Sequence, residues 1–138
     1  SITAAFTLTV DGTYYIRVEN PDGLAGRSSS ALLTVSDAPT WTTTAGSLGS
    51  VAQGGSISFT VTATSDSAVT YSIVSGALPT GGSLNSSTGA ITGTESGSDT
   101  SETTYNFTIR ATDAEAQTAD RAFSITVTVG INNAGQFN

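Results

Sequence analysis

The chain has 138 residues and a formal net charge of −7, with no cysteine, histidine, methionine or lysine and with arginine as its only basic residue. This composition excludes disulfides, zinc sites of the Cys/His kind, thiol or imidazole nucleophiles and Lys–Asn cross-links. Four arginines dispersed among 11 carboxylates disfavour nucleic-acid binding, and no apolar run is long enough to insert into a membrane.

The first 37 residues predict part of a β domain. Strands are expected at roughly Ala5–Val10, Thr13–Glu19 and Ala31–Ser36, with a tight turn at Asn20-Pro21-Asp22-Gly23. Three strands leave one apolar face uncovered, which is marginal in water. We therefore expect residues 1–37 to be the closing part of a domain that is completed upstream or by a neighbouring subunit.

A domain boundary is predicted near Pro39, because Ser36-Asp37-Ala38-Pro39 interrupts the strand pattern and proline cannot join a central ladder. Residues 38–130 then contain about seven strand candidates, the number that a minimal immunoglobulin-like sandwich needs. Residues 131–138 show no periodicity and predict a linker or tail. The predicted fold class is all-β: an immunoglobulin-like β-sandwich, with one complete domain after the last strands of a preceding one.

Apolar and polar residues alternate along most predicted strands, which identifies the side chains that face the core. Tyr14 and Tyr105 each stand two residues before an apolar residue, as in a tyrosine corner, where the hydroxyl bonds the backbone; simple core tyrosines are the alternative. The residues that we expect in the cores are Tyr14, Ile16, Tyr71, Ile73, Leu84, Ile91, Tyr105, Phe107, Phe123 and Ile125.

Two stretches resemble known families. Asp11–Gly23 followed by Ala31–Val35 resembles the last strands of an IPT/TIG immunoglobulin-like domain. Tyr71–Thr94, with its Leu78-Pro79 and Ser87-Thr88-Gly89 segments, and Tyr105–Asp113 resemble the putative-Ig family, which is related to cadherin-like and dystroglycan-type domains. Two positions depart from that pattern: Gly82 replaces the usual leucine, and Glu95 replaces a frequent proline.

The resemblance implies a spacer or binding module. Such domains occur in bacterial surface proteins and in tail or virion proteins of tailed phages, and this pairing is most similar to proteins of marine phages. Since the chain starts without an initiator methionine or a signal-type segment, we expect a processed product or an internal piece of a longer protein.

The acidic residues are the candidates for a metal site. Asp113, Glu115 and Asp120 cluster around one predicted hairpin loop, and Asp37 lies in the predicted linker. The resemblance to cadherin-like domains implies calcium, since Asp113 falls in a matching Ala-x-Asp pattern, although the other calcium motifs of those domains are absent. Calcium needs six to eight oxygen ligands. Solvated loop carboxylates, with no cofactor, are the default interpretation.

A second set of carboxylates and the tryptophan are also candidates for function. Glu95, Asp99 and Glu102 lie in a Ser/Gly/Thr-rich loop and are the candidates for a glycosidase pair, but such a loop predicts solvated carboxylates, so we expect no enzyme. Trp41 is the single tryptophan. It either stacks on a sugar or packs into the core, and we favour packing.

The leading functional hypothesis is a semi-rigid structural spacer of a phage virion appendage or surface fibre, on a virion surface or outside the cell. The alternative is an adhesin domain that binds a host-surface glycan or receptor. A further alternative is a fibre subunit that polymerises by strand complementation. The expected partners are other domains of the same chain or neighbouring subunits, including a homo-oligomer.

Overall fold

A computed structural model of the protein describes residues 12–15, 17–19, 21–23, 25–27, 33–35 and 37–130, and every regular element in these ranges is a β-strand. The chain divides into two compact units, Ser1–Asp37 and Ala38–Asn138. None of the described residues forms a helix that is long and apolar enough to cross a membrane.

The described residues of the first unit form four short strands: β1 (Gly12–Tyr14), β2 (Arg17–Glu19), β3 (Ala25–Arg27) and β4 (Leu33–Val35). β1 pairs antiparallel with β4, and β2 pairs antiparallel with β3. The single strand expected over 13–19 is divided between β1 and β2, and β3 forms where the sequence indicated only a connection. Tyr14 is half-buried, whereas Ile16 and the strand expected over 5–10 lie outside the described residues.

Residues 38–130 of the second unit form nine strands, several of them short because glycine, serine and proline interrupt the alternating pattern. They are β5 (Thr40–Trp41), β6 (Gly46–Ala52), β7 (Ser56–Thr60), β8 (Ala63–Thr64), β9 (Thr70–Gly76), β10 (Gly82–Leu84), β11 (Ala90–Thr94), β12 (Thr103–Thr112) and β13 (Thr118–Thr128).

These strands form an immunoglobulin-like β-sandwich. One sheet has the order β6-β13-β12-β9, the second has the order β10-β11-β7, and β5 pairs with β8. β6 and β13 run parallel, and the other pairs are antiparallel. The long β12–β13 hairpin pairs ten residues of each strand, from Thr103↔Val127 to Thr112↔Thr118.

The core consists of inward-facing residues from both sheets. Phe107 and Phe123 are each 2% exposed, and Ile91, Ile109 and Ile125 are 0% exposed. Burying one such side chain contributes about 1.5–3 kcal/mol. Leu84 and Tyr105, both expected in the core, are half-buried and pack against its edge.

Ile73 was expected in the core, and this prediction is wrong, because its side chain is 38% exposed. Its partner across the ladder is the buried Ile109, so the alternating pattern assigned its face correctly. However, β9 is the edge strand of its sheet, and Val74 is unpaired at a bulge between Ser75 and Ile73. An inward-facing residue at such an edge is covered from one side only.

Tyr71 forms the backbone contact that was expected of Tyr105. Its hydroxyl accepts a hydrogen bond from the N–H of Ala63 at 2.9 Å and lies 3.3 Å from the carbonyl oxygen of the same residue. The Tyr105 hydroxyl instead donates to the carboxylate of Asp99, at 3.0 Å from Oδ2. The corner interaction therefore joins β9 to β8.

Candidate functional site

Three carboxylates meet at the end of the sandwich where the β12–β13 hairpin turns. Asp66 lies in the connection between β8 and β9, and Asp113 and Glu115 lie in the hairpin loop, residues 113–117. One oxygen atom from each of the three side chains lies within 4.8 Å of the other two. We call these three residues the acidic cluster.

Backbone and side-chain hydrogen bonds fix the hairpin loop. The N–H of Gln117 donates to Asp113 Oδ1 at 2.7 Å, and the N–H of Ala116 donates to the carbonyl oxygen of Asp113 at 3.2 Å. Ala116 has a φ of 66°, in the left-handed region that favours glycine. A non-glycine residue in this conformation costs of order 1 kcal/mol and persists where its surroundings hold it.

Ser67 connects the two loops that carry the acidic cluster. Its hydroxyl donates to Glu115 Oε2 at 2.6 Å and accepts from the N–H of Ala114 at 3.1 Å. Asp66 accepts a hydrogen bond from the Ser65 hydroxyl at 2.9 Å. The positions of Asp66 and Glu115 are therefore coupled, although 48 residues separate Ser67 from Glu115.

Asp113 is the most constrained member of the acidic cluster. The residue is only 5% exposed. Its Oδ1 accepts the Gln117 N–H, but its Oδ2 is the buried side-chain oxygen without a hydrogen-bond partner in the described part of the chain. Leaving a buried acceptor unsatisfied costs about 1–3 kcal/mol, and more where the group is charged.

One sequence-predicted metal candidate, Asp120, lies elsewhere, so the predicted set is wrong in part. Asp120 lies on β13 and forms a two-point ion pair with Arg110 of β12, at 2.7 and 2.8 Å. The hydrogen bonds from Arg110 lower the pKa of Asp120, and those to Asp120 raise the pKa of Arg110. Asp37 is an exposed residue of the first unit, and its role in metal binding stays a prediction.

Asp66 is the member that sequence reasoning missed. It lies 47 positions before Asp113, between Ser65 and Ser67 in a connection with no metal motif. The sandwich topology brings the β8–β9 connection beside the β12–β13 hairpin. The only sequence signal for Asp66 as a member of the cluster was that it is an acidic residue in another predicted loop.

A second group of carboxylates lies near the C-terminal end of β13. The turn between β6 and β7 contacts this end, because the N–H of Gln53 donates a hydrogen bond to the carbonyl oxygen of Thr128. Glu95 was expected in a solvated loop, but it is 1% exposed. Its oxygens accept hydrogen bonds from the N–H of Gly54 at 3.0 Å and of Gly97 at 2.6 Å. The expectation was wrong because the loop folds back onto this turn.

The three carboxylates that were candidates for a glycosidase pair, Glu95, Asp99 and Glu102, differ in their surroundings. Asp99 accepts the hydroxyl of Tyr105, and this hydrogen bond is the main reason why the pKa of Tyr105 is raised. Gln53 Nε2 donates to the carbonyl oxygens of Gly97 and Asp99, which fastens the loop, and Glu102 is exposed. Glu95 and Asp99 therefore stabilise the structure of this loop.

Trp41 packs inside the domain. It is 8% exposed, its ring centroid lies 5.4 Å from that of Phe123, and its Nε1 donates to the carbonyl oxygen of Ala119 at 3.0 Å. A buried indole with a satisfied N–H is not available as a platform for a sugar ring.

The fold is similar to several solved structures that share little sequence with the chain. The protocadherin GammaB4 extracellular domain matches with a TM-score of 0.58 and 19% identity, over 86% of this chain and 22% of that one. Human desmocollin-1 ectodomain matches with a TM-score of 0.52 and 20% identity, over 83% and 25%. An endo-fucoidan hydrolase of glycoside hydrolase family 107 matches with a TM-score of 0.52 and 16% identity, over 92% and 21%.

This chain therefore spans a quarter or less of each of these proteins. No curated protein matches it in sequence. The model of the putative Ig domain family matches residues 3–128, which is most of the chain. Together with the sandwich described above, this match shows that the chain belongs to the putative Ig domain family.

Proposed function

We propose that the chain is a non-enzymatic structural module of an extracellular fibre or a phage virion appendage, where it acts as a semi-rigid spacer between other domains. The observation that carries this proposal is that two carboxylates that were candidates for catalysis stabilise the loop in which they lie. Glu95 and Asp99 accept hydrogen bonds from their own loop and its neighbours. The groups that hydrolysis would need are engaged in stabilising the domain.

The comparisons support a module within a longer chain. The similar protocadherin and desmocollin structures are extracellular ectodomains, of which this chain spans between a fifth and a quarter. Surface or virion localisation follows in this proposal from the same neighbours and from the resemblance to phage proteins. The assignment of residues 1–37 to the end of an IPT/TIG-like domain is also part of the proposal.

The spacer hypothesis is tested in the source particle or organism. Purified virions and extracellular fractions would be analysed by mass spectrometry for peptides of this chain, and the intact mass of the polypeptide that carries them would be measured. We expect the virions or the extracellular fraction to contain these peptides, within a polypeptide whose mass is well above 13.8 kDa. Peptides confined to the cytoplasmic fraction would contradict the proposal.

An adhesin domain is the second candidate, and the outer face of the three-stranded sheet favours it. Ser56, Ser58 and Thr60 of β7 and Thr92 and Thr94 of β11 are exposed, and they form an uncharged hydroxyl surface that is suited to hydrogen bonds with sugars. A glycan array separates the two functions. Reproducible binding that is lost on Ser58→Asp, but retained in Ser72→Asp on the other sheet, would establish the adhesin and remove the spacer as the main role.

The third candidate, polymerisation by strand complementation, concerns the first unit, whose described strands are only three residues long. Such short pairs are weak alone. Sedimentation of the 138-residue chain tests it: a concentration-dependent series of oligomers is expected for complementation, and a monomer at all concentrations contradicts it.

A further inference from the structure

We propose that β7, Ser56–Thr60, is an interaction surface on which a second copy of this chain pairs through its own β7, so that two three-stranded sheets join into one sheet of six strands. The two strands run antiparallel about a twofold axis at Ser58. This inference is independent of the spacer and adhesin roles, because it rests on the backbone groups and the charge of one edge strand.

The backbone of β7 is hydrogen-bonded to β11 through alternate residues. In an antiparallel ladder, the residues between these direct their N–H and carbonyl groups away from the partner strand. The N–H of Val61 donates to the carbonyl oxygen of Gly89, and the N–H of Glu95 donates to the carbonyl oxygen of Gly55. The odd-numbered residues therefore face β11, and no register shift interrupts the pairing between these two points. The residues of β7 that direct their backbone groups away from β11 are Ser56, Ser58 and Thr60.

This edge of the sheet is covered beyond β7 but open along it. Thr62 has the same orientation, and its carbonyl oxygen accepts hydrogen bonds from the N–H groups of Thr42 and Thr43 at 2.9 and 3.2 Å. β5 extends this cover by pairing with β8, and the chain then passes to β6 in the other sheet. The backbone groups that β7 directs away from β11 have no hydrogen-bond partner among the described residues, and the three residues that carry them are exposed.

β7 lacks the features that protect the other edge strands of the sandwich. Natural sheets block pairing at their edges with very short strands, bulges, proline or charged residues. β10 has only three residues, and β6 and β9 each have a register shift against the neighbouring strand. The N–H of Tyr71 on β9 also donates to the carbonyl oxygen of Ser86. β7 has five residues, with no charge, no proline and no register shift.

The distribution of charge favours a second copy as the occupant. The chain has a net charge of −7, but none of the residues of β7, β10 and β11 is charged. Two of these sheets placed edge to edge therefore bring no like charges opposite one another, which would destabilise the pairing. A strongly acidic or basic peptide would find no opposite charge on these strands.

The open residues of β7 also match themselves in register. With Ser58 opposite Ser58 of the second copy, Ser56 lies opposite Thr60 on both sides of the axis. Each of these three pairs joins residues whose backbone groups point toward the partner, so the pairing forms about six hydrogen bonds. On the inner face, Ile57 of one copy lies opposite the half-buried Phe59 of the other. A shift by one residue would lose both matches.

The first test is sedimentation velocity of the full chain as a function of concentration. One pair of five-residue strands buries less than the roughly 1,200–2,000 Å² of stable interfaces, so we expect a weak dimer. The monomer should convert into a dimer as the concentration rises to about 1 mM.

Ser58→Pro makes this test specific to β7. It removes the N–H at the centre of the pairing, but no bond to β11, because this N–H points away from β11. Circular dichroism and the fluorescence of Trp41 should therefore be unchanged. Two hydrogen bonds of the dimer are lost, so its dissociation constant should rise at least about tenfold.

A single introduced thiol tests the register. The chain has no cysteine, so Ser58→Cys can form a disulfide only between two copies. Opposite residues of a hydrogen-bonded antiparallel pair have Cα atoms about 5.5 Å apart, which a disulfide can span. Thr92→Cys is the matched control, since Thr92 pairs with Ser58 on β11 and would lie three strand spacings, about 14 Å, from its counterpart. Under mild oxidation we expect a covalent dimer of Ser58→Cys and little of Thr92→Cys.

Three results would overturn the proposal. A monomer at every concentration would show that the edge of β7 does not pair. Equal disulfide yields from the two cysteine variants, or an unchanged dissociation constant in Ser58→Pro, would place the contact elsewhere. If Ser58→Pro does not fold, the two cysteine variants still decide.

Discussion

Removal of one buried hydroxyl should destabilise the sandwich measurably. In Tyr71→Phe the ring remains, but the N–H of Ala63, which donates to that hydroxyl at 2.9 Å, loses its partner in the interior. Tyr71 is 7% exposed and Ala63 is 6% exposed, so water has little access to either group. An unsatisfied buried donor costs about 1–3 kcal/mol, which corresponds to a decrease in Tm of roughly 4–20 °C.

The assay is urea and thermal unfolding of the full chain, followed by far-UV circular dichroism and by the fluorescence of the buried Trp41. The matched control is Tyr105→Phe. Its hydroxyl contacts the half-buried Asp99, which water can reach after the substitution, so the loss should be less than about 1 kcal/mol. A Tyr71→Phe variant as stable as the unmodified chain, or a Tyr105→Phe variant that loses as much, would refute this reasoning.

Three further predictions concern loops and the edge strand. Glu95→Gln replaces one of two acceptor oxygens with a donor that faces a backbone N–H, so urea unfolding should show a loss of about 1–3 kcal/mol, and Glu102→Gln at an exposed position should show almost none. The pKa of Tyr105 is raised, so its neutral hydroxyl stabilises the fold below pH about 10, the ordinary pKa of tyrosine. This contribution to stability is lost as the pH rises through the folded-state pKa. In unfolding measured against pH, Tyr105→Phe should abolish this part of the stability loss at alkaline pH. Gly76→Ala should cost at least about 2 kcal/mol by thermal unfolding, since φ is 71° and a Cβ would collide with a backbone carbonyl of β12, whereas Gly130→Ala meets nothing within 4 Å and should be neutral.

The sandwich was predictable because its signals are local. The alternation through Tyr105, Phe107 and Ile109 identifies both the strand β12 and the face that it buries, whatever it packs against. The exposure of Ile73 was not predictable in this way. It depends on β9 being the last strand of its sheet, a property of pairing between residues distant in sequence.

The candidate site likewise contains residues that the local sequence could predict and residues that it could not. Asp113 and Glu115 are neighbours in one hairpin loop, which the sequence indicated directly. Asp66 joins them only through the topology, and the burial of Glu95 depends on the N–H of Gly54, 41 residues away. Side chains whose role is set by partners in a different loop leave no periodic or compositional trace.

The parallel pairing of β6 with β13 has a mechanical consequence. β6 begins the larger sheet from the N-terminal side, and β13 is the last strand before residue 130. Six residue pairs connect them in the same direction, from Phe123↔Gly46 to Thr128↔Ala52. When the domain is pulled from its two ends, these strands slide along each other, so their hydrogen bonds carry the force in shear and break together rather than one at a time. After the two-residue strand β5 detaches, the remaining sandwich should therefore resist extension as one unit.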